Sequence, residues 1–118
     1  MKRVAILGST GSIGQSALAV VSAHPDRLRV VALSAGENVP RLVEQVAQYV
    51  PDTVAMASPA GLAEMESALR RQGGPLPATT ACGAEGLIAV ATHPDADVVL
   101  FASSGTAALD AVLAAIDC

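Results

Sequence analysis

The sequence is poor in aromatic residues, because its 118 residues include one tyrosine, one phenylalanine and no tryptophan. A core built from large rings is therefore excluded. The hydrophobic content of 52% must come mainly from Ala, Val, Leu and Ile. Such residues suit parallel strands that are covered by helices on both faces. The length allows one domain with a real core and no more.

Cysteine is also scarce. The two cysteines, Cys82 and Cys118, lie far apart and do not have a metal-binding spacing. We interpret both as reduced thiols of a cytoplasmic protein. A strand begins almost at the N-terminus, so we expect neither a signal peptide nor a transit peptide. No apolar run is long enough to span a bilayer.

Positive charge is limited and dispersed. Seven Lys and Arg residues stand against eleven Asp and Glu residues, which gives a net charge of −4 without any basic cluster. Nucleic acids and anionic membrane surfaces attract proteins through clustered basic residues. We therefore expect no nucleic-acid partner and no membrane partner.

Short apolar segments and helical segments alternate along the whole chain. The pattern predicts strands at 3–7, 28–33, 53–56 and 97–101, the last one buried, and a loop or weak edge strand at 75–80. It predicts helices at about 12–23, 39–50, 59–72, 84–91 and 106–116. No hairpin signal or linker interrupts the alternation. We predict one α/β domain over residues 1–118, a Rossmann-like doubly wound parallel sheet with right-handed crossovers.

The second predicted helix has a clear apolar face. Asn38 can cap this helix, and Pro40 lies in its first turn. Apolar residues recur in it at spacings of three and four, and we expect them to form a single face: Leu42, Val43, Val46, Ala47 and Val50.

The most informative stretch is the turn between the first strand and the first helix, where Gly8, Gly11 and Gly14 are spaced three apart. A strand, a glycine turn and a helix together bind the pyrophosphate of a nucleotide at the helix N-terminus. Glycine allows the sharp turn and a close approach of the ligand. The hydroxyls of Thr10 and Ser12 could bond the phosphates or cap the helix, and both roles could coexist.

A second turn, Gly36 to Asn38, follows the second strand, where the adenosine ribose of a dinucleotide would lie. A carboxylate at this place bonds the ribose hydroxyls of NAD, whereas a basic residue accommodates the phosphate of NADP. Glu37 taken alone favours NAD, or it is simply an exposed turn charge.

The chain shows no catalytic set. His24 and His93 each close a helix before a proline, which favours a structural role. Asp95, Asp97 and Asp110 do not form a metal-binding spacing on one face. No arrangement resembles a Ser–His–Asp or a Cys–His pair. We therefore predict neither catalytic residues nor metal ligands in this chain.

Residues 4–14 resemble the start of the 1-deoxy-D-xylulose 5-phosphate reductoisomerase family. Similar segments follow in order at 24–27, 30–38, 42–45 and 113–116. The resemblance thus covers essentially the whole chain. It implies an NADPH-dependent oxidoreductase of the non-mevalonate isoprenoid pathway, which rearranges and reduces 1-deoxy-D-xylulose 5-phosphate to 2-C-methyl-D-erythritol 4-phosphate.

The resemblance also implies which residues hold NADPH, namely Thr10, Gly11, Ser12, Ile13, Gly36, Glu37 and Asn38. Two positions depart from the family pattern: Glu37 stands where a basic residue is common, and Ala108 replaces a glycine near the nicotinamide.

The family requires Mg or Mn, but its metal ligands and its substrate-phosphate site come after Cys118. The chain is therefore expected to be the N-terminal NADPH-binding domain of a longer enzyme, which is a homodimer and acts on a phosphorylated sugar. Alone it should bind cofactor without turnover.

Two other functions stay open at this point. The chain could be a stand-alone dinucleotide-sensing module, or the cofactor domain of another NADP-dependent reductase, such as an aspartate-semialdehyde type. The downstream coding sequence discriminates between them. An acidic metal-binding segment there supports the reductoisomerase, and a catalytic cysteine supports the other reductase.

Overall fold

The computed structural model describes residues 1–102 together with Leu113 and Ile116. The strands are β1 (Lys2–Leu7), β2 (Leu28–Ser34), β3 (Thr53–Met56), β4 (Thr79–Cys82) and β5 (Val98–Phe101). The helices are α1 (Ser12–Ala23), α2 (Val39–Tyr49), α3 (Pro59–Gln72) and α4 (Gly83–Ala91). In this part of the chain, no helix has the length and apolar character needed to cross a membrane. Most of the predicted helix at 106–116 lies outside the described residues, as does the segment 103–105 before it.

All strand pairs are parallel, and the strand order is β4-β3-β2-β1-β5. The predicted Rossmann-like doubly wound sheet is therefore confirmed. The connections from β1 to β4 step in one direction and place α1, α2 and α3 on one face of the sheet, which is the arrangement that right-handed crossovers give. The return to β5 runs the other way and carries α4 on the opposite face. All strands end at one side of the sheet, which we call the carboxyl edge, and begin at the other, the amino edge.

The two faces of the sheet carry cores of different size. Along β1, Val4 and Ile6 face the three helices α1, α2 and α3, and they belong to the larger core. The alternate residues Ala5 and Leu7 face α4 and belong to a smaller core with several alanines. Successive side chains of a strand point to opposite faces, which explains this division.

Helix α4 packs very closely on the sheet. A Cβ at Gly86 would lie 2.9 Å from the Cβ of Ala55 in β3 and 3.2 Å from the carbonyl carbon of Ala81. Glycine in the helix and alanine in the strand therefore set the small distance between these two elements. As a result, the start of α4 is held near the ends of β3 and β4.

An extra residue in β2 keeps both faces filled. Val4 pairs with Val30, but the next residue, Ala5, pairs with Ala32, so Val31 is the extra residue. Such a bulge lets two consecutive residues face the same side. Val31 and Ala32 both belong to the core beneath α4. Without the bulge, the end of β2 would present its residues to the wrong faces.

The two outer strands compare differently with the sequence expectation. Strand β4 is a short edge strand, which agrees with the prediction of a loop or weak edge strand at 75–80, but it begins only at Thr79, after both prolines, and runs on to Cys82. The prediction that the last strand is buried is wrong, because Val98, Leu100 and Phe101 are 39%, 38% and 37% exposed. Strand β5 pairs with β1 on one side, and no described residue pairs with its other side.

The predicted apolar face of α2 is only partly correct. Three of its residues are buried, namely Leu42, Val43 and Val46. Ala47 is exposed, and Val50 lies just beyond the helix with a φ of +49°, which turns it out of the helical pattern. Gln45 is buried instead. A hydrogen bond from its side chain to the carbonyl of Ser9 draws it inward.

Candidate functional site

The glycine turn, Gly8 to Gly14, connects β1 to α1 at the carboxyl edge. Gly8 has a φ of +84°, in the left-handed region that favours glycine. A Cβ at Gly14 would lie 2.1 Å from the carbonyl oxygen of Gly8 and 2.7 Å from the Cα of Ser9. Both neighbours are backbone atoms, which cannot move aside cheaply. The compact shape of the turn therefore requires glycine at position 14.

Gly11 is in a different situation. A Cβ at this position would meet only the carbonyl oxygen of Gly8, at 3.6 Å, which is an ordinary van der Waals contact. Gly11 is exposed and is the N-cap of α1 with an extended backbone. The packing of the protein therefore does not require glycine here. A ligand that approaches the backbone at this point would require it.

Backbone N–H groups are free at the start of α1. The amides of Thr10, Ser12 and Ile13 donate to no acceptor in the described part of the chain. Among the residues that the structure describes, no side chain caps the helix, so the capping role considered for the hydroxyls of Thr10 and Ser12 is not observed. Free donors and the positive end of the helix dipole together suit a negatively charged group such as a pyrophosphate.

The second predicted turn, Gly36 to Asn38, connects β2 to α2. Asn38 caps α2 as predicted, since its Oδ1 accepts a hydrogen bond from the amide of Arg41 at 3.2 Å. Gly36, Glu37 and Asn38 are all exposed. Within the described residues, the Glu37 carboxylate forms no ion pair. This carboxylate is therefore available to a ligand or to solvent.

Backbone hydrogen bonds hold the two turns together. The amides of Gly8 and Ser9 both donate to the carbonyl oxygen of Ser34, at 2.8 and 2.9 Å. Ser34 ends β2 and pairs in register with Leu7 at the end of β1. The predicted site residues of both turns are thereby brought to neighbouring strand ends of the carboxyl edge.

A cavity of about 320 Å³ opens beside the second turn. Small or apolar residues from the ends of three strands and the start of α4 line it, among them Ser34, Gly36, Ala55, Ala57, Ala84 and Leu87. Its volume lies within the range of small-molecule sites. Sequence reasoning missed this cavity because its walls come from distant segments, and because alanine and glycine carry no functional signal of their own.

The buried histidine lies at the amino edge, on the opposite side from these turns. His93 Nε2 is 3.0 Å from Asp52 Oδ2, and His93 Nδ1 accepts from the amide of Asp95 at 3.1 Å. Since Nδ1 is an acceptor, Nε2 carries the proton and donates to Asp52. This hydrogen bond is the main cause that holds the pKa of Asp52 below its usual value of 3.8. His93 thus joins the start of β3 to the end of α4, the structural role predicted for it.

Arg3 forms a second link at the amino edge. Its amide donates to Asp97 Oδ2 at 2.8 Å and its Nε to the same oxygen at 3.4 Å, while the amide of Asp97 donates back to the Arg3 carbonyl at 2.8 Å. The hydrogen bond from the Arg3 amide is the main cause that lowers the pKa of Asp97. The pair Arg3 and Asp97 thus holds the start of β5 to β1. Among the described residues, no three His, Cys, Asp or Glu side chains are grouped so as to bind a metal ion.

Comparison with known proteins gives a consistent match over nearly the whole chain. The family model described as 1-deoxy-D-xylulose 5-phosphate reductoisomerase matches residues 4–118. The 1-deoxy-D-xylulose 5-phosphate reductoisomerase of Anaeromyxobacter sp. (strain K) is 48% identical over 117 residues, which cover 99% of this chain and 29% of that protein. The corresponding protein of Symbiobacterium thermophilum is 44% identical over 116 residues, with 98% and 30% covered. The chain thus spans less than a third of the length of these relatives.

Solved structures show the same fold. A crystal structure of DOX-P reductoisomerase in complex with NADPH, fosmidomycin and magnesium matches with a TM-score of 0.87 and 34% identity, over 98% of this chain and 28% of the other. A 1-deoxy-D-xylulose 5-phosphate reductoisomerase from Zymomonas mobilis in complex with NADPH matches with a TM-score of 0.86 and 35% identity, over 98% and 29%. The architecture described above is therefore found within proteins that were crystallised with NADPH.

Proposed function

The chain belongs to the 1-deoxy-D-xylulose 5-phosphate reductoisomerase family, and from this premise we propose that it is the N-terminal, NADPH-binding domain of such an enzyme. The full-length enzyme converts 1-deoxy-D-xylulose 5-phosphate to 2-C-methyl-D-erythritol 4-phosphate in non-mevalonate isoprenoid biosynthesis, with Mg or Mn. Because the chain spans about 29% of the length of its relatives, this activity is proposed for the longer protein. The family match displaces the alternative of another type of NADP-dependent reductase.

The observation that carries this proposal is the set of free backbone donors beside an open cavity at one edge of the sheet. The cofactor pyrophosphate accepts hydrogen bonds from the amides of Thr10, Ser12 and Ile13, where Gly11 leaves room for it. The adenosine ribose lies at the turn from Gly36 to Asn38, and the adenine base occupies the cavity. Bound NADPH supplies the hydride, and these residues bind and orient it.

We propose that the metal binds in another part of the full-length enzyme. The described residues contain no cluster of carboxylates, histidines or cysteines that fits a divalent cation. Hydride transfer also needs a substrate held against the nicotinamide. We therefore expect the 118-residue chain to bind NADPH without turnover, and substrate-dependent NADPH oxidation by this chain with Mg or Mn would contradict that. A stand-alone sensing module would bind NADPH equally, and turnover by the full-length protein distinguishes it.

Isothermal titration of NADPH into the Gly11→Val variant tests the phosphate site. The protein leaves space at this position, so the variant should fold, but the added side chain occupies the place of the pyrophosphate and binding should be lost. Gly74→Val is the matched control, because a Cβ there meets only Leu69 of α3, at 3.8 Å. Unchanged affinity in Gly11→Val would mean that the phosphates bind elsewhere.

Glu37 makes the cofactor preference weaker in this chain. A carboxylate near the 2′-phosphate of NADPH repels it, at a cost of about 1 kcal/mol in a partly desolvated site. Asn38 can donate a hydrogen bond to that phosphate, and Arg41 lies one turn into α2 with an exposed side chain. We propose that NADPH binds better than NADH, but with less discrimination than in a relative that has Lys or Arg at this position.

The Glu37→Lys variant tests this balance. It should raise the ratio of NADPH affinity to NADH affinity about tenfold, the equivalent of about 1.4 kcal/mol. Paired titrations of both cofactors at one ionic strength measure the ratio. Glu64→Lys, on the exposed side of α3, changes the net charge equally and should leave the ratio unchanged. An equal ratio in parent and Glu37→Lys would remove Glu37 from the site.

Two further properties stay predictions for the full-length enzyme, its homodimeric state and its cytoplasmic location. The substrate is proposed to be a phosphorylated sugar. Sedimentation of the full-length protein and fractionation of cells that express it measure the first two properties.

A further inference from the structure

Gln45 is a buried polar residue on the side of α2 that packs against the rest of the protein. Gln45 is 6% exposed, and its Nε2 donates to the carbonyl oxygen of Ser9 at 2.8 Å. Ser9 lies in the glycine turn and is completely buried. Within the described residues, Gln45 Oε1 and Ser9 Oγ have no hydrogen-bond partner.

Packing alone does not account for this glutamine. A buried polar atom without a partner destabilises the folded state, and an apolar side chain such as leucine would fill similar space without that cost. The neighbouring buried positions of α2, Leu42, Val43 and Val46, are all apolar. What distinguishes Gln45 from an apolar residue at this position is its hydrogen bond to the Ser9 carbonyl in the glycine turn.

This hydrogen bond fixes the orientation of one peptide group. In a trans peptide, the carbonyl of one residue and the N–H of the next point in opposite directions, and the described chain contains no cis peptide. Because Gln45 holds the Ser9 carbonyl from the side of α2, the N–H of Thr10 points away from α2. That N–H is one of the free donors at the start of α1.

A second glutamine holds the next carbonyl of the turn. Gln15 Nε2 donates to the carbonyl oxygen of Thr10 at 2.8 Å. Consecutive carbonyls at Ser9 and Thr10 are thus both engaged by side-chain amides, one from α2 and one from α1. The Gln45 contact directs the free N–H of Thr10, whereas the N–H that follows the Thr10 carbonyl belongs to Gly11 and is used inside the turn, where it donates to the Gly8 carbonyl at 3.3 Å.

Helix α2 also connects the two turns of the site. Asn38 caps its start in the second turn, and Gln45 follows seven residues later, which is about two helical turns and roughly 10 Å along the axis. One rigid helix therefore contacts the second turn, Gly36 to Asn38, at its N-terminal end and the glycine turn along its buried side.

We propose that Gln45 is a positioning residue for the cofactor site, which orients the Thr10 amide toward the pyrophosphate and fixes the spacing of the two turns. The proposal rests on the proposed function of this site. Gln45 itself touches no ligand and acts through the Ser9–Thr10 peptide.

The Gln45→Glu variant tests the proposal through pH. An ionised carboxylate cannot donate and repels the Ser9 carbonyl, whereas the protonated acid donates through its O–H and restores the contact. Burial raises the pKa of such a carboxyl, so protonation falls within an accessible range. NADP⁺, which is stable in acid, should bind this variant about tenfold more weakly than the parent at pH 8, equivalent to about 1.4 kcal/mol, and the difference should close toward pH 5.

Two variants keep the test specific. Gln48→Glu makes the same charge change one turn further along α2, where Nε2 contacts the exposed Ser22 Oγ at 3.4 Å, and it should follow the parent at every pH. Gln45→Leu removes the donor without adding charge, so it should bind NADP⁺ more weakly at every pH without recovery. Arg41 and Glu44, the exposed ionisable residues of α2 nearby, are unchanged in all variants, and the parent titration corrects for them.

The outcomes separate the two proposals. If the parent chain does not bind NADP⁺, the proposed function is wrong. If the parent binds and both Gln45 variants bind equally well, the positioning role is wrong. Equal weakening of Gln45→Glu at pH 8 and pH 5 would also overturn it, because that result indicates a packing defect. If Gln45→Glu fails to fold at pH 8, the affinity of Gln45→Leu against the parent decides.

Discussion

The two edges of the sheet are built differently, although the same five strands run between them. At the amino edge, His93 bonds Asp52 and Arg3 bonds Asp97, so polar groups are paired within the protein. At the carboxyl edge, amide groups at the start of α1 are free and a cavity opens beside them. The residues of the turns therefore decide which edge stabilises the fold and which edge receives a ligand.

The variant with the largest expected effect is Gly14→Ala at the carboxyl edge. The added Cβ would collide with three backbone atoms of the turn, at 2.1 to 2.8 Å, so we expect the free energy of unfolding to fall by about 3 kcal/mol or more. Gly11→Ala in the same turn should lose about 1 kcal/mol or less, since its Cβ has room. Urea denaturation of both variants measures the difference. Equal losses would mean that the turn is looser than described.

The next test breaks the amino edge. His93→Leu removes the proton donor to Asp52 and the acceptor of the Asp95 amide, and the free energy of unfolding should fall by about 2 kcal/mol. NADPH affinity should not change, because the ring lies at the other edge. His24→Leu is the control, since His24 is exposed at the end of α1 and should cost less than about 0.5 kcal/mol. A loss of NADPH binding in His93→Leu would show that the two edges are coupled.

The smallest expected effect is the loss of the stabilisation by the Asp52 carboxylate at low pH. The folded pKa of Asp52 lies below its ordinary value of 3.8, chiefly because of the hydrogen bond from His93. The stabilisation by this carboxylate is therefore complete above pH 3.8 and is lost as the pH falls through the folded pKa. Parent and Asp52→Asn should differ by less than about 1 kcal/mol at pH 6, since the carboxylate is more than half exposed. The difference in unfolding free energy should shrink toward pH 3, and a constant difference would contradict this account.

The order and type of the elements could be predicted from sequence because their signals are local. Helix α1 has the predicted bounds of Ser12 and Ala23, and β3 has those of Thr53 and Met56. Asn38 caps the helix that follows it, as predicted, and Ser58 caps α3 in the same way, because a short polar side chain satisfies a free amide at a helix start. The spacing of Gly8, Gly11 and Gly14 likewise predicts the turn between the first strand and the first helix.

Features that depend on distant neighbours could not be predicted. The apolar sequence of β5 identifies a strand but does not reveal that the strand lies at one side of the sheet with its side chains half exposed. Burial of Gln45 in place of Ala47 depends on the Ser9 carbonyl, 36 residues away in sequence. Gly11 and Gly14 are indistinguishable by residue type, and only the three-dimensional turn shows that one is needed for packing and the other leaves room.

The pairing of β5 with β1 has a consequence for the synthesis of the protein. Arg3 is synthesised 94 residues before Asp97, its hydrogen-bond partner in β5's approach to β1. At translation rates of about 5 to 20 residues per second, one side of β1 therefore has no strand partner for roughly 5 to 20 s. An apolar strand with an open side is a template for wrong pairing during that interval. Strands β1 to β4 are therefore synthesised before β5, and a nascent chain that is stalled before residue 97 leaves one side of β1 without its partner strand.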